Sequence, residues 1–241
     1  MTKLQEKTVA DLVTENIKAA HIFKKYGIDF CCGGGISIKR ACERAKIDPT
    51  ILESELLNLE TIPDRASDYN SWKLDFLTDH IINLHHVYIE ESSPLLLQYS
   101  KRVNQVHGHH YIELAEIEEL VKNVVQELAV HMKKEELILF PFIKKLVQAE
   151  REASDIPAIH FGTVENPINM MEAEHEQAGD IMRKIAKLSN NYTPPENACN
   201  TYRAFYAKLD EFEQDLHQHV HLENNILFPK ALNLEKKLKN K

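Results

Sequence analysis

Two copies of one pattern of histidine, glutamate and proline constrain this chain more than any other feature of its sequence. One copy begins at His131 and the other at His219, and both read His-x-x-x-Glu-x-x-x-Leu-Phe-Pro without a gap. Residues four apart lie on the same face of a helix, about one turn from each other. Each copy can therefore present an imidazole nitrogen and a carboxylate oxygen to one metal ion, from His131 and Glu135 or from His219 and Glu223.

Apolar periodicity predicts that both His–Glu faces are buried. Apolar residues lead into His131 and into His219 at steps of three or four, and we expect Ile138 and Ile226 to continue the two stripes. By the same spacing, His217 and His221 point away from His219 and should lie at the surface. A buried carboxylate needs a compensating charge, which a cation supplies. A buried His–Glu pair without metal is the alternative, and the duplication favours the metal.

One histidine precedes each copy by a similar distance. His175 lies on an apolar stripe 44 residues before His219, and counting back 45 residues from His131 reaches His86. The stripe that runs through Leu84 fits the adjacent His85 better, so the residues alone leave His85 and His86 both open. The result is two helix pairs, each with one histidine on its first helix and a His-x-x-x-Glu pair on its second.

Composition excludes several classes of protein. The chain has 241 residues and a formal net charge of −8, without a basic cluster, which argues against a nucleic-acid partner. It has no apolar run long enough to span a membrane, and from its first residues we expect no signal peptide. Four cysteines in a chain of this size do not make a disulfide scaffold, so we expect a cytoplasmic protein.

The helical patterns predict an all-α protein with a small helical domain at residues 1–62 and an antiparallel four-helix bundle at residues 73–234. Residues 61–72 are typical of a linker, and a longer connection at 149–166 is a candidate flap over the bundle. The four long patterns cover residues 73–100, 112–148, 167–189 and 198–234.

Two adjacent cysteines, Cys31 and Cys32, precede three glycines in the small domain. A helix that begins near Ser37 would place its amides close to both thiols and favour thiolates. The two thiols are therefore candidates for contacting iron or the thiols of another protein. Two small buried residues beside a tight turn are the alternative, while Cys42 and Cys199 are interpreted as packing residues.

The candidate ligands favour two metal ions. Four histidines and two carboxylates exceed what a single ion can take within helix geometry, whereas two ions bridged by Glu135 and Glu223 can use all of them. Mixed imidazole and carboxylate donors suit iron or manganese, and structural zinc more usually takes thiolates.

The motifs resemble those of a known family. His131–Pro141 and His219–Pro229 resemble the hemerythrin-like bundle. The segment Tyr26–Gly34, with its Cys-Cys-Gly-Gly ending, is similar to the small N-terminal domain of the bacterial iron–sulfur cluster repair di-iron proteins. The segments Met171–Gly179 and His219–Asn225 also resemble this family. The residues ahead of His86, Asp79–Ile82, favour it over His85 in this comparison.

The resemblance implies a non-haem centre of two iron ions with oxo and carboxylate bridges. Its ligands would be His86, His131, Glu135, His175, His219 and Glu223. It also implies a cytoplasmic protein, often a homodimer, that restores iron–sulfur clusters damaged by nitric oxide or peroxide, with damaged or apo iron–sulfur proteins as partners. The connection at 149–166 is longer than the family pattern leads us to expect.

Four functions compete at this point. The first is an iron protein that supplies iron to damaged clusters, and the second is a carrier or sensor of oxygen or nitric oxide. The third is an enzyme that reduces nitric oxide at the same centre, and the fourth is a structural bundle. The duplicated His–Glu pair disfavours the fourth, and a simple carrier has no use for a Cys-Cys domain. The first and third both need an open di-iron site, so the sequence does not separate them.

Overall fold

The computed structural model describes residues 3–59, 69–156 and 160–240. Within these ranges the regular structure is helical, with one isolated bridge between Thr8 and Ser37 and no strand. The predicted all-α helical bundle is confirmed. In chain order the α-helices are α1 (Lys3–Glu6), α2 (Val9–Glu15), α3 (Ala19–Lys25), α4 (Ile38–Ala45), α5 (Pro49–Leu57), α6 (Leu74–Ile81), α7 (Val87–His107), α8 (Glu113–Lys134), α9 (Phe140–Glu152), α10 (Glu165–Leu188), α11 (Asn200–Leu222) and α12 (Phe228–Lys239).

Two predicted connections fall partly outside the described residues. Of the linker predicted at 61–72, residues 61–68 lie outside, and Tyr69–Ser71 forms a short 3₁₀ turn. Of the connection predicted at 149–166, residues 157–159 lie outside, while α9 continues to Glu152 and α10 begins at Glu165. The flanking helices are thus longer than the apolar pattern indicated.

The chain divides into two compact units. The middle unit comprises Thr78–Leu216, and the terminal unit comprises Met1–Leu77 together with His217–Lys241. This division differs from the predicted domains at two places, because the start of α6 groups with the N-terminal segment, as do the end of α11 and the whole of α12. The domain limits of 1–62 and 73–234 stay a prediction of the sequence pattern.

The terminal unit is built from short helices with well-defined caps. Thr8 and Asp11 form a reciprocal capping box at the start of α2, and Ser37 caps α4. The loop between α3 and α4 carries the two cysteines. A Cβ added at Gly34 would lie 2.3 Å from the carbonyl oxygen of Phe30, so only glycine fits where the loop folds back on itself.

In the middle unit, α7 and α10 both pack against α8. The face of α8 that these helices cover carries most of the stripe predicted from the sequence, since Ile117, Val124 and Leu128 are buried. The fourth predicted member, Leu120, is only half-buried, and the adjacent Val121 is buried instead. Helices with one apolar stripe bury it against their neighbours, because transfer of apolar surface out of water dominates folding. Since His131 follows on this same face, the packing of α8 directs it inward.

In the part of the chain that the structure describes, three wide turns of π-helix interrupt the long helices. They lie at Ile82–His86 between α6 and α7, at Glu135–Leu139 between α8 and α9, and at Glu223–Leu227 between α11 and α12. In each of the last two, the amide of the phenylalanine that follows donates to the carbonyl oxygen of the glutamate five residues earlier. Turns of this kind are rare and recur at functional sites.

The Leu-Phe-Pro ending of the repeated pattern gives a physical reason for two of these turns. Pro141 and Pro229 lie in the first turn of α9 and α12. Proline has no amide hydrogen, and its ring clashes with the carbonyl group four residues earlier. The α-helical hydrogen-bond ladder therefore cannot run through either proline, and a wider turn resets it.

Candidate metal centre

The wide turns change which residues face inward, so the helical register differs from the one expected from the sequence. We predicted Leu84 and Ile138 to face inward, yet their exposed fractions are 48% and 49%. His86 and Leu139 take the inward positions, each with an exposed fraction of 1%. A π-helical turn holds one more residue than an α-helical turn, so it rotates the following residues by about 100° relative to the uninterrupted pattern.

A buried carboxylate of the middle unit lies between two imidazole rings. Glu135 is completely buried, with Oε2 at 3.3 Å from Nε2 of His86 and Oε1 at 3.3 Å from Nε2 of His131. His175, on α10, has its own Nε2 at 3.0 Å from Nε2 of His131. Three histidines and one glutamate from three helical segments thus converge in the interior of this unit.

The terminal unit contributes a second buried pair. His219 Nε2 and Glu223 Oε1 lie 3.0 Å apart, and both residues are fully buried. This is the i, i+4 geometry that the repeated pattern predicted for one helical face.

The ligand atoms of these six residues form two groups. Within each group, one ligand atom per residue lies within 4.8 Å of all the others, and every member is buried. Both glutamates belong to both groups. The first group is His86, Glu135, His219 and Glu223, and the second is His131, Glu135, His175 and Glu223.

Two outer carboxylates orient the histidines of the middle unit. His86 Nδ1 lies 2.9 Å from Oε1 of Glu136, and His131 Nδ1 lies 2.9 Å from Oε2 of Glu174. An ionised carboxylate can only accept, so each Nδ1 carries the hydrogen. In the neutral rings, Nε2 then presents a lone pair toward the acceptor oxygens of Glu135.

This arrangement brings acceptor atoms face to face in the interior of the unit. Such a contact is repulsive unless a second proton on each imidazole or a cation compensates it. The donor set of imidazole and carboxylate suits iron or manganese ions. The residues therefore fit a metal ion, and the outer carboxylates hold the ring tautomer that metal binding needs.

Lysines neutralise both outer carboxylates. Lys133 donates to Oε2 of Glu136 at 2.7 Å, and Lys134 forms an ion pair with Glu174. Burial acts to raise the pKa of each carboxyl group, but the bonds from the lysine and the histidine outweigh it and hold both pKa values below their usual range. Glu136 and Glu174 were not among the residues predicted for the site, although each adjoins a candidate ligand in the chain.

A cavity of about 350 Å³ lies between α8 and α10 in the middle unit. His131, Lys134 and Glu174 form part of its wall, with amide side chains such as Gln177 nearby. The cavity therefore lies on the Nδ1 side of His131, beside Glu174, which orients this ring.

The prediction that His221 lies at the surface is wrong. Its exposed fraction is 1%, and it lies against the ring of Phe30, with Nε2 at 3.4 Å from Thr14 Oγ1 and Nδ1 at 3.1 Å from Asn225 Nδ2. Burial lowers the pKa of His221 to about 4, so the ring is neutral at pH 7. Helical periodicity identifies the face toward one neighbour, and here the Cys-Cys loop of the terminal unit covers a second face.

The expectation of a thiolate is corrected for Cys31. Oδ1 of Asp29 accepts hydrogen bonds from the backbone amides of Cys31 and Cys32, at 2.9 and 3.1 Å. These two amides are therefore bonded to a carboxylate and not to a thiolate. The Cys31 thiol, which is buried, also donates to this oxygen at 3.2 Å. Its hydrogen bond with Cys32, burial and the charge of Asp29 raise the pKa of Cys31 well above its usual range, which favours the neutral thiol. Cys32 is half-buried.

The two remaining cysteines differ from each other. Cys42 is completely buried in the terminal unit, as predicted for a packing residue. Cys199 is exposed, so that interpretation is wrong for it, and its Sγ lies 3.2 Å from Nε2 of His107. The cysteines that the structure describes are all free thiols: Cys31, Cys32, Cys42 and Cys199.

Two family models match the chain. Residues 5–60 match the ScdA N-terminal domain, described as a domain of unknown function (DUF542), and residues 77–231 match the hemerythrin HHE cation binding domain. Together they cover the Cys-Cys segment and all six candidate ligands.

Curated relatives match over most of their length. An iron–sulfur cluster repair protein YtfE from Edwardsiella ictaluri is 36% identical over 228 residues, which are 95% of this chain and 97% of the relative. Proteins of the same name from Yersinia pseudotuberculosis and Yersinia pestis are 36% identical over 215 residues, or 89% of this chain and 91% of each relative.

Proposed function

The chain belongs to the family of iron–sulfur cluster repair proteins with a hemerythrin HHE cation binding domain, and from this premise we propose that it repairs damaged clusters by supplying iron. The observation that carries the proposal is the pair of buried ligand groups that share Glu135 and Glu223. Two ions that share both carboxylates can use all six side chains, and iron suits these donors. The ions are cargo here, since each one delivered must leave the centre.

Each of the two ligand groups would hold one ion. In the proposal, His86 and His219 would bind one ion, His131 and His175 would bind the other, and both glutamates would bind both ions. Bound iron would supply an exchangeable metal ion for transfer. The protein's own residues provide the negative charge that retains it, and Glu136 and Glu174 keep the rings of His86 and His131 in the binding tautomer.

The cavity beside His131 supports release of iron through the middle unit. Glu174 lies in the cavity wall and bonds both His131 and Lys134. Because Lys134 shares the negative charge of Glu174, it weakens the hold of Glu174 on the ring of His131. A ligand held less firmly lets iron exchange more readily, which a donor needs.

Cys31 and Cys32 have a secondary part in the proposal. Cys32 is half-buried, so in its present position it is the thiol that iron or a client protein could reach. Cys31 is buried and favours the neutral form, so it can act only after its loop moves. Four free cysteines suit a reducing compartment such as the cytoplasm. No helix in the described parts of the chain is long and apolar enough to cross a membrane.

Recovery of a damaged cluster tests the proposed function. A client protein with a [3Fe–4S]⁺ cluster gains one Fe²⁺ and one electron to become [4Fe–4S]²⁺, and a thiol reductant supplies the electron. The iron-loaded protein should restore the client faster than an equal amount of free Fe²⁺ does in the presence of a chelator. A rate equal to that of free iron would contradict the proposal.

Variants tested in the same assay distinguish residues needed for iron loading from residues needed for repair. His175→Ala should abolish iron loading and repair together. The double change Cys31→Ser, Cys32→Ser should keep iron and slow repair, with the exposed Cys199→Ser as the matched control. Unchanged repair by the double variant would remove both cysteines from the mechanism. The homodimer and the gaseous ligands stay predictions, which sedimentation and spectroscopic titration would test.

A further inference from the structure

The side-chain amide of Asn225 joins two segments of the terminal unit. Its Nδ2 lies 3.2 Å from the carbonyl oxygen of Cys31 and 3.1 Å from Nδ1 of His221, with the carbonyl oxygen of Phe30 at 3.5 Å. An amide nitrogen carries two hydrogens. One can be donated to the Cys31 carbonyl group and the other to the His221 ring, so both are used.

These contacts indicate which ring nitrogen of His221 carries the hydrogen. Because Nδ1 accepts from Asn225, the ring hydrogen is on Nε2, which donates to Thr14 Oγ1 at 3.4 Å. The edge of the ring also meets Phe30, with 6.0 Å between ring centroids. The network therefore runs from the half-buried Thr14 on α2 through the buried His221 to the half-buried Asn225 and the backbone of the Cys-Cys loop. Hydrogen-bond networks of this kind favour one conformation when every member is satisfied.

The position of Asn225 in the chain links this network to a candidate metal ligand. Asn225 is the third residue of the wide turn Glu223–Leu227, two residues after Glu223. Helix α2 packs directly against this turn. Because Glu223 and Asn225 share the backbone of one turn, a shift of this turn displaces both residues and strains the bond from Asn225 to the Cys31 carbonyl group.

We propose that Asn225 is a positioning residue that couples the Cys31–Cys32 loop to the turn carrying Glu223. In this arrangement, iron binding at Glu223 holds the turn in place, and the turn holds the loop closed over Cys31. Departure of iron loosens the turn and exposes the Cys31 thiol. Coupling of this kind is reciprocal, so opening of the loop weakens iron binding by the same factor. The proposal rests on the proposed role of Glu223 and adds a device that the repair function does not itself require.

Alkylation of the cysteines measures the coupling. The metal-free protein and the protein loaded anaerobically with Fe²⁺ are treated with iodoacetamide, and the rate at each cysteine is read by mass spectrometry. Cys199 is exposed and serves as the reference rate, and Cys42 is completely buried and reports opening of the whole terminal unit. The variant is Asn225→Ala. The matched control is Gln218→Ala, which removes an amide that donates to Tyr69 instead of the loop.

We expect Fe²⁺ to slow alkylation of Cys31 about tenfold in the unaltered protein, the effect of one or two hydrogen bonds. Asn225→Ala should speed alkylation of Cys31 in the metal-free protein and abolish the protection by Fe²⁺. Gln218→Ala should do neither. Equal protection in the unaltered protein and in Asn225→Ala overturns the proposal, since iron would then protect Cys31 without the amide. Bound Fe²⁺ that leaves Cys31 unprotected in the unaltered protein overturns it as well.

Two further outcomes are distinguishable. If the unaltered protein binds no Fe²⁺, the proposed function fails, and the metal-free rates alone then decide whether Asn225 holds the loop. A rate for Asn225→Ala no faster than that for Gln218→Ala shows that it does not. If Asn225→Ala exposes Cys42 as well, the variant has opened the whole unit. In that case the coupling is tested by hydrogen exchange at the Cys31 and Cys32 amides of the unaltered protein, with and without Fe²⁺. If Fe²⁺ does not slow this exchange, the coupling is overturned.

Discussion

Removal of the outer carboxylate behind His131 should weaken iron binding by an amount that the geometry sets. Glu174 accepts from His131 Nδ1 at 2.9 Å, and its side chain is 28% exposed. A hydrogen bond to a charged partner contributes about 2 kcal/mol, and a neutral one contributes about half as much. Glu174→Ala loses the whole bond, so iron affinity should fall roughly 30-fold, within the range known for outer partners of metal ligands.

Glu174→Gln separates charge from hydrogen bonding. The amide oxygen of glutamine still accepts from Nδ1, so only the charged part of the bond is lost and affinity should fall about fivefold. Lys134→Met should act in the opposite direction, because it removes the cation that shares the charge of Glu174. It should raise affinity by less than about tenfold, since the pair is partly exposed to solvent.

Competition with a chromogenic Fe²⁺ chelator under anaerobic conditions measures these affinities directly. The matched control is Glu172→Gln, which makes the same change of charge at an exposed position of α10. Circular dichroism of the metal-free variants separates loss of affinity from loss of fold. If both Glu174 variants bind iron as the control does, or if Lys134→Met weakens binding, the argument from ligand orientation is refuted.

Three further outcomes follow from the same structure. Protein expressed with iron should contain about two irons per chain by elemental analysis, because both glutamates belong to both ligand groups, and a single zinc would contradict this. His219→Ala should lower iron content while His217→Ala, half-buried and outside both groups, should not; equal losses would show that the assigned register is wrong. Leu139→Ala should lower the free energy of unfolding by about 3 kcal/mol and Ile138→Ala by less than about 0.5 kcal/mol, measured by denaturant titration. A reversed order would refute the register shift at the wide turn.

Spacing along the chain was enough to predict that each His–Glu pair shares one buried face of a helix. His219 and Glu223 are one helical turn apart, and apolar stripes on the same face showed that both would be buried. These are local properties of a helix, so no knowledge of the neighbouring helices was needed. The offset between the two copies pointed to His86 and the apolar pattern to His85, and the family resemblance favoured His86.

Only the tertiary structure decided the features that depend on neighbouring segments. The turn at Ile82–His86 brings both His85 and His86 inside, and the turn after Glu135 exchanges Ile138 for Leu139. A uniform helical period contains no extra residue per turn, so it cannot predict either shift. Glu174 and Asn225 are likewise ordinary polar residues in the sequence. Their roles come from what the fold places beside them, an imidazole ring in one case and the backbone of the Cys-Cys loop in the other.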